Sequence, residues 1–283
     1  MSAADNAFKN SRLPMLPPPS SGLDIWWVPL PELDYETLLT GYVDCLSPEE
    51  LHRLQSRRLP KGQFQFLFTR VALRHLLSAY HPLIAPGEWL VYRSGSGRPY
   101  ISQAQTPLSF NLTHTHDCLI FAFSQYADPG VDVEKLSRAT EFEGIAKRYF
   151  SIQEYSEFLE LPETERIVFF YRLWTLKEAA VKASGLGLAR GLRRFQFSQR
   201  QGRDSLTDLI DVTDQEEMRG KFQFWSARFR DHVIAASLVS QPGAILPDIS
   251  PVSRSLIWPG TISGIDPGWI KSQSRNSSTN LEP

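Results

Sequence analysis

An acid set inside the apolar stripe of a long helix constrains this chain more than any other feature. From about Glu163 to Ala183 the residues read as one helix that stops before Gly185 and Gly187. On a helical wheel Ile167, Phe170, Tyr171, Trp174 and Val181 share a face. Glu178, four residues after Trp174, falls within that face, and Lys182, four further on, joins it. An ionised Glu on a core-facing stripe is costly unless it is paired or bound to a metal. With Lys182 as sole partner the acid would be an ordinary ion pair at a helix edge, and spacing alone leaves that reading open.

A second element supplies more acid. Val131-Asp132-Val133-Glu134 alternates strictly, as a strand does, so Asp132 and Glu134 share one face while Val131 and Val133 enter a core. For an isolated Asp-x-Glu the plain reading is a strand end facing water. Together with Glu178, however, these carboxylates can meet around one hard cation. Mg²⁺ prefers oxygen ligands and takes a few carboxylates with phosphates and waters. Lys177 and Lys182 then read as phosphate clamps, and carboxylate, metal and phosphate with flanking Lys is the constellation of phosphoryl transfer.

Composition narrows the partners. The 283 residues carry 30 Lys and Arg against 31 Asp and Glu, a formal charge of −1, with 42% apolar residues. That excludes a chain disordered throughout and removes the basic field of a general nucleic-acid binder. Any anionic ligand must be held by locally placed Lys and Arg. The longest apolar runs fall short of the ~18–20 residues of a membrane helix, so no membrane partner is expected. Cys45 and Cys118 suffice for neither a disulfide framework nor a zinc knuckle, and Met1–Gly22 lacks a secretory core segment. A cytoplasmic protein is expected.

Both ends look loose: a flexible N-terminal segment over residues 1–22 and a Pro/Ser-rich tail over 241–283, with Trp258 and Trp269 suggesting that parts of the tail touch the body. Between them lie an N-terminal half, 23–126, and a C-terminal half, 127–240, that carries the acids and starts at the breaker cluster Ala127-Asp128-Pro129-Gly130. The first half reads as a strand at Leu23–Leu30, a helix starting at Ser47-Pro48-Glu49-Glu50, a second helix over Phe64–Tyr80, and strands at Trp89–Tyr92, Pro107–Asn111 and Cys118–Phe123. The second half repeats helices followed by strands, with a capping box at Ser151 and Glu154 and strands at Phe195–Phe197, Phe222–Ala227 and Val233–Leu238. The fold class is α+β, each half placing helices beside a small, mostly antiparallel sheet. His114-Thr115-His116 lacks a third ligand for zinc, and Cys118 reads as packing.

Gly130-Val131-Asp132-Val133-Glu134 followed by Leu173-Trp174-Thr175-Leu176-Lys177-Glu178-Ala179-Ala180-Val181-Lys182 resembles the paired signature of the 4′-phosphopantetheinyl transferases. Within them it is similar to the larger, monomeric surfactin-synthetase-activating type. Gly97-Arg98-Pro99, Phe110-Asn111-Leu112-Thr113-His114 and Arg148-Tyr149-Phe150-Ser151 extend the resemblance over roughly Ser47 to Val239. It implies a pseudo-symmetric pair of α/β halves with coenzyme A in the cleft between them. It further implies transfer of the phosphopantetheine arm to a serine of an acyl or peptidyl carrier protein, releasing adenosine 3′,5′-bisphosphate.

By that resemblance Asp132, Glu134 and Glu178 coordinate Mg²⁺ with the diphosphate. Glu178 is also the candidate base for the serine proton, directly or through water. Lys182 neutralises the diphosphate; Arg98 and His114 hold the adenosine 3′-phosphate; Thr113 keeps the hydroxyl of the usual Ser. Arg57, Arg58 and Lys61 form the basic face toward coenzyme A, although Gly62 and Gln63 replace a charged pair common there. Carrier docking falls to Ser151–Leu161, with Lys147, Arg148 or Arg172 steering an acidic carrier helix. Two rival readings are a coenzyme A-binding module without turnover and an unrelated Mg²⁺-dependent phosphoryl transferase. The intact acidic trio speaks against the first.

Overall fold

The computed structural model describes residues 13–19, 22–95, 97–103, 107–137, 141–185, 187, 192–193, 195–199, 209–213, 222–240, 244 and 246–272. Strand β1 (Asp24–Pro29) opens the fold and is followed by helices α1 (Tyr35–Tyr42), α2 (Pro48–Gln55) and α3 (Pro60–Tyr80). Asp34 caps α1 by accepting from Thr37 N, and Ser47 with Glu50 forms a capping box on α2 behind Pro48. A small hairpin of β2 (Val91–Arg93) and β3 (Pro99–Ile101) leads into β4 (Ser109–His114) and β5 (Cys118–Ser124).

The second half begins with β6 (Asp128–Lys135), then α4 (Phe142–Tyr149), α5 (Ile152–Glu160) and the long α6 (Glu163–Ser184). Gly185 ends α6 in the left-handed region, φ 69°, as the Gly-punctuated sequence predicts. Next come the pair β7 (Gln196–Gln199) and β8 (Leu209–Thr213), and the hairpin β9 (Phe222–Phe229) and β10 (His232–Val239). The chain closes with β11 (Val252–Ile257), β12 (Thr261–Gly264) and β13 (Ile270–Ser272). Among the described residues no helix is long and apolar enough to cross a membrane.

Two sheets form the centre, ordered β12-β11-β1-β5-β4 and β13-β9-β10-β6. Alternation along each strand divides its apolar residues between two cores. From β1 and β5, Trp26, Val28, Leu119, Phe121 and Phe123 face α3, whose Leu67, Val71, Leu73 and Leu77 are fully buried against them. Their neighbours Ile25, Trp27, Ile120 and Ala122 turn the other way and meet Val131, Val133, Ile234 and Ala236 of the second sheet. The far face of that sheet, with Phe224, Val233 and Ala235, packs on Leu173, Leu176 and Ala180 of α6. Helices, sheet, sheet and helices stack in that order, an α+β architecture whose halves share a central core.

The ends depart from the sequence reading. Strand β11 pairs in parallel with β1, Asp24 opposite Val252, while β13 pairs with β9 on the other sheet, so the expected tail is built into both halves. Trp258 is buried against Tyr42, Phe68 and His75. At the N-terminus Leu13 is buried, and Leu16 N donates to Ala79 O at 2.8 Å.

Gly130 sets how closely α6 lies on β6. A Cβ there would stand 2.0 Å from Ala179 O and 2.6 Å from Ala183 N, both helix backbone that cannot move aside. Gly130→Ala is therefore expected to cost about 3 kcal/mol or more by overpacking, read as a lowered denaturant midpoint. A midpoint equal to that of the parent protein would show that strand and helix can part at no cost.

Candidate active site

The four-layer stack explains why the acids meet. Val131 and Val133 enter the core between the sheets, so Asp132 and Glu134 are turned to the α6 side of β6. Helix α6 presents Glu178 and, one turn later, Lys182 to that same face. Asp132 and Glu178 are buried, and Glu134 is half-buried.

Asp132 is the hub. Its Oδ1 accepts from Lys182 Nζ at 2.6 Å and from Thr113 Oγ1 at 3.1 Å, while Lys182 Nζ also lies 3.3 Å from Val131 O. Its Oδ2 is buried and has no hydrogen-bond partner. Burial, then repulsion from Asp132, pushes the pKa of both Glu134 and Glu178 up to about 7, opposed at Glu134 by a hydrogen bond from Trp174 and at both acids by Lys182. The three carboxylates thus face one another, but they are not drawn into a closed cage. The sole trio of potential metal ligands within 4.8 Å among the described residues is Asp117, Cys118 and His232, where Lys135 already holds Asp117 at 2.7 Å.

A cavity of about 390 Å³ opens between the halves beside this cluster, lined by Arg70, Arg93, Arg98, Lys182, Asn111 and Val181 among others. Arg98 reaches across it from the β2–β3 turn, donating to Ala183 O and to Asp128 Oδ1, each at 3.0 Å. His114 is the last residue of β4, and its pKa is lowered by burial of the ring and then by Lys182 and Arg57, so the ring is neutral at pH 7. Arg57 is exposed with its guanidinium 4.7 Å over the Phe66 ring, and Arg58 and Lys61 point to solvent without lining the cavity.

Three sequence-derived assignments are corrected. Lys177 is no phosphate clamp. It is fully buried, ion-paired to Glu154 at 2.8 Å and bonded to the carbonyls of Leu192 and Phe195, on the side of α6 away from the cleft. Thr113 spends its hydroxyl on Asp132, which makes it a support for that carboxylate. Arg172 is buried, its Nε donating to Ser226 Oγ at 2.9 Å, and cannot steer a partner. Conversely, Arg70 and Arg93 line the cleft without having been singled out; the available signal was a pair of arginines, Arg70 and Arg74, within the apolar face of α3. Asn111, quoted only as part of a motif, accepts from Val131 N at 3.3 Å and ties β4 to β6.

Clustered acids thus lie beside a cleft lined by Arg70, Arg93, Arg98 and Lys182. Comparison with known proteins gives the family. Residues 128–237 match the model of the 4′-phosphopantetheinyl transferase superfamily. The chain is 31% identical over 173 residues to the 4′-phosphopantetheinyl transferase HetI of Nostoc sp. (strain PCC 7120), covering 60% of this chain and 72% of the relative. It is 33% identical over 151 residues to the 4′-phosphopantetheinyl transferase AcpT of Salmonella typhi, covering 52% and 73%. The 4′-phosphopantetheinyl transferase psf-1 of Bacillus pumilus shares 32% over 147 residues, covering 49% and 60%. The chain belongs to the 4′-phosphopantetheinyl transferase superfamily.

Proposed function

We propose that this chain moves the 4′-phosphopantetheine arm of coenzyme A onto a serine of an apo acyl or peptidyl carrier protein, releasing adenosine 3′,5′-bisphosphate. The observation that carries the reading is the buried, unpartnered Oδ2 of Asp132 beside two carboxylates that burial and mutual repulsion hold near neutrality. Buried carboxylate oxygens are ordinarily satisfied, and an oxygen-only set of this kind suits Mg²⁺. Asp132, Glu134 and Glu178 would hold the ion. Bound there, it would supply Lewis-acid stabilisation of charge on the diphosphate.

The chain's own residues do the remaining work. Thr113 and Lys182 fix Asp132 through Oδ1 and leave Oδ2 free for the ion. Lys182 lines the cleft and brings positive charge to the diphosphate. Glu178 accepts the serine proton, directly or through water. The carrier meets the exposed face of α4 and α5, where Lys147 and Arg148 supply charge and Ile152 an apolar contact 94% exposed. Both halves in one chain, joined by a shared core, support the monomeric surfactin-synthetase-activating type.

The test is a mass measurement. Incubation with apo carrier protein, coenzyme A and Mg²⁺ should add one phosphopantetheine to the carrier. Chelation with EDTA should stop the transfer, and excess Mg²⁺ should restore it. Coenzyme A binding with no mass gain would leave a binding module, and a transfer indifferent to EDTA would remove the cation from Asp132, Glu134 and Glu178.

A further inference from the structure

The two strands that meet at the acid cluster belong to different sheets. Strand β4 ends one sheet and β6 ends the other, and among the described residues no backbone ladder joins them. Side chains bridge the seam instead. Thr113 donates to Asp132 at 3.1 Å, and Asn111 accepts from Val131 N at 3.3 Å. A third bridge lies just past the acids, and the transfer reading makes no use of it.

Asp117, in the turn between β4 and β5, gathers partners from both halves. Its Oδ2 accepts from Lys135 Nζ, at the end of β6, at 2.7 Å. Its Oδ1 accepts from Thr115 Oγ1 at 2.5 Å and lies 3.0 Å from His232 Nε2, at the start of β10. His232 is buried edge-on to Trp27, and its Nδ1 stands 2.9 Å from Asp231 Oδ1. Lys135 also reaches Asp231 Oδ2 at 3.2 Å. Burial alone would raise the pKa of Asp117, but donation by Lys135, Thr115 and His232 holds it well below the usual carboxylate range. From the first half, Leu30 N donates to Asp117 O at 2.9 Å and Gln65 of α3 donates to Thr115 O at 2.5 Å.

The turn is therefore seated on the first half, and Asp117 carries that seat across to the second. Lys135 directly follows Glu134, and Asp117 ends the turn that begins after Thr113 and His114. We propose that Asp117 is a positioning residue for the cation site: with Lys135 and His232 it braces the end of β4 against β6, keeping Thr113 on Asp132 so that Asp132 Oδ2 faces the ion. The proposal rests on the Mg²⁺ reading above. Asp117 and Lys135 are 35% and 34% exposed, so their pairing adds little to global stability, and its effect falls on alignment.

Mn²⁺ binding to the full chain, followed by electron paramagnetic resonance with Mg²⁺ as competitor, tests the brace. Charge alone predicts opposite outcomes for its two members: loss of the Lys135 ammonium would tighten cation binding, and loss of the Asp117 carboxylate would weaken it. The brace predicts weakening in both. Lys135→Met and Asp117→Asn should each raise the Kd for Mn²⁺ about five-fold, the scale of coupling within one hydrogen-bond network, with melting midpoints within a few degrees of the parent. Lys135→Arg should bind as the parent does. In a Thr113→Val background, where the aligned bond is already gone, Lys135→Met should add nothing. The Mg²⁺ concentration for half-maximal transfer should rise in parallel, with the KM for coenzyme A at saturating Mg²⁺ held within about two-fold. Tighter or unchanged Mn²⁺ binding in Lys135→Met, or a full additional loss in the Thr113→Val background, overturns the brace, and Lys135→Met decides if Asp117→Asn fails to fold. A parent protein that shows this dependence in Mn²⁺ binding but transfers nothing to a carrier keeps the brace and sinks the transferase reading instead.

Discussion

Asp132→Asn is expected to lower phosphopantetheine transfer by about three orders of magnitude, roughly 4 kcal/mol of transition-state stabilisation, while leaving the fold intact. The amide keeps the shape of the side chain and can still accept from Thr113. What disappears is the charge. With the amide oxygen kept on Thr113, an NH2 group that cannot ligate a hard cation replaces the buried Oδ2 that has no protein partner, and Lys182 loses the anion that holds it at 2.6 Å. Folding should suffer little, because Asp132 repels both Glu134 and Glu178 and its neutralisation relieves them. The check pairs the rate of carrier mass gain with a thermal melt. A midpoint within a few degrees of the parent and a rate down a thousand-fold place the defect in the site. A variant that keeps more than a tenth of the parent rate would show that Asp132 is not a ligand of the essential ion.

The acids were legible in the sequence because each follows a local rule. Asp132 and Glu134 alternate with two valines, and that alternation alone turns them away from the core between the sheets. Glu178 and Lys182 share a helix face by their spacing, and the helix start at Ser47 and the capping box at Ser151 form as their residues predict. Long-range contacts were not legible. Nothing local in Val252–Ile257 says that it will pair in parallel with β1, a partner at the other end of the chain. Lys177 was misread for a related reason. It precedes Glu178 by one residue, which on a helix is about 100° of rotation, and that turn carries it from the cleft into the second core. A helix buried on nearly every side from Phe169 to Ala183 has no solvent face to receive it. Its true partner sits in another helix's cap. Arg70 escaped notice because α3 was read as an apolar stripe, and only the pairing of Glu50 with Arg74 shows why arginines enter that stripe.

Glu154 carries the largest expected effect on stability. Its carboxylate closes the capping box of α5 by accepting from Ser151 N at 2.7 Å, accepts from Phe197 N at 2.8 Å, and pairs with Lys177 at 2.8 Å, both side chains at 0% exposure. One side chain thereby joins α5, β7 and α6. Glu154→Ala removes all three links and leaves an ammonium in the second core with only the carbonyls of Leu192 and Phe195 around it. Removing one partner of a buried pair costs about 3–5 kcal/mol, which for a chain of this size lowers the melting midpoint by roughly 10 °C. Because the pair lies across α6 from the cleft, Lys177→Met should also lower the midpoint yet leave the KM for coenzyme A within about two-fold when assayed well below that temperature. The two measurements separate the possible roles of Lys177. A large rise in KM with an unchanged midpoint would return it to the phosphate, whereas a lower midpoint with KM held assigns it to the internal bolt between α5, α6 and β7.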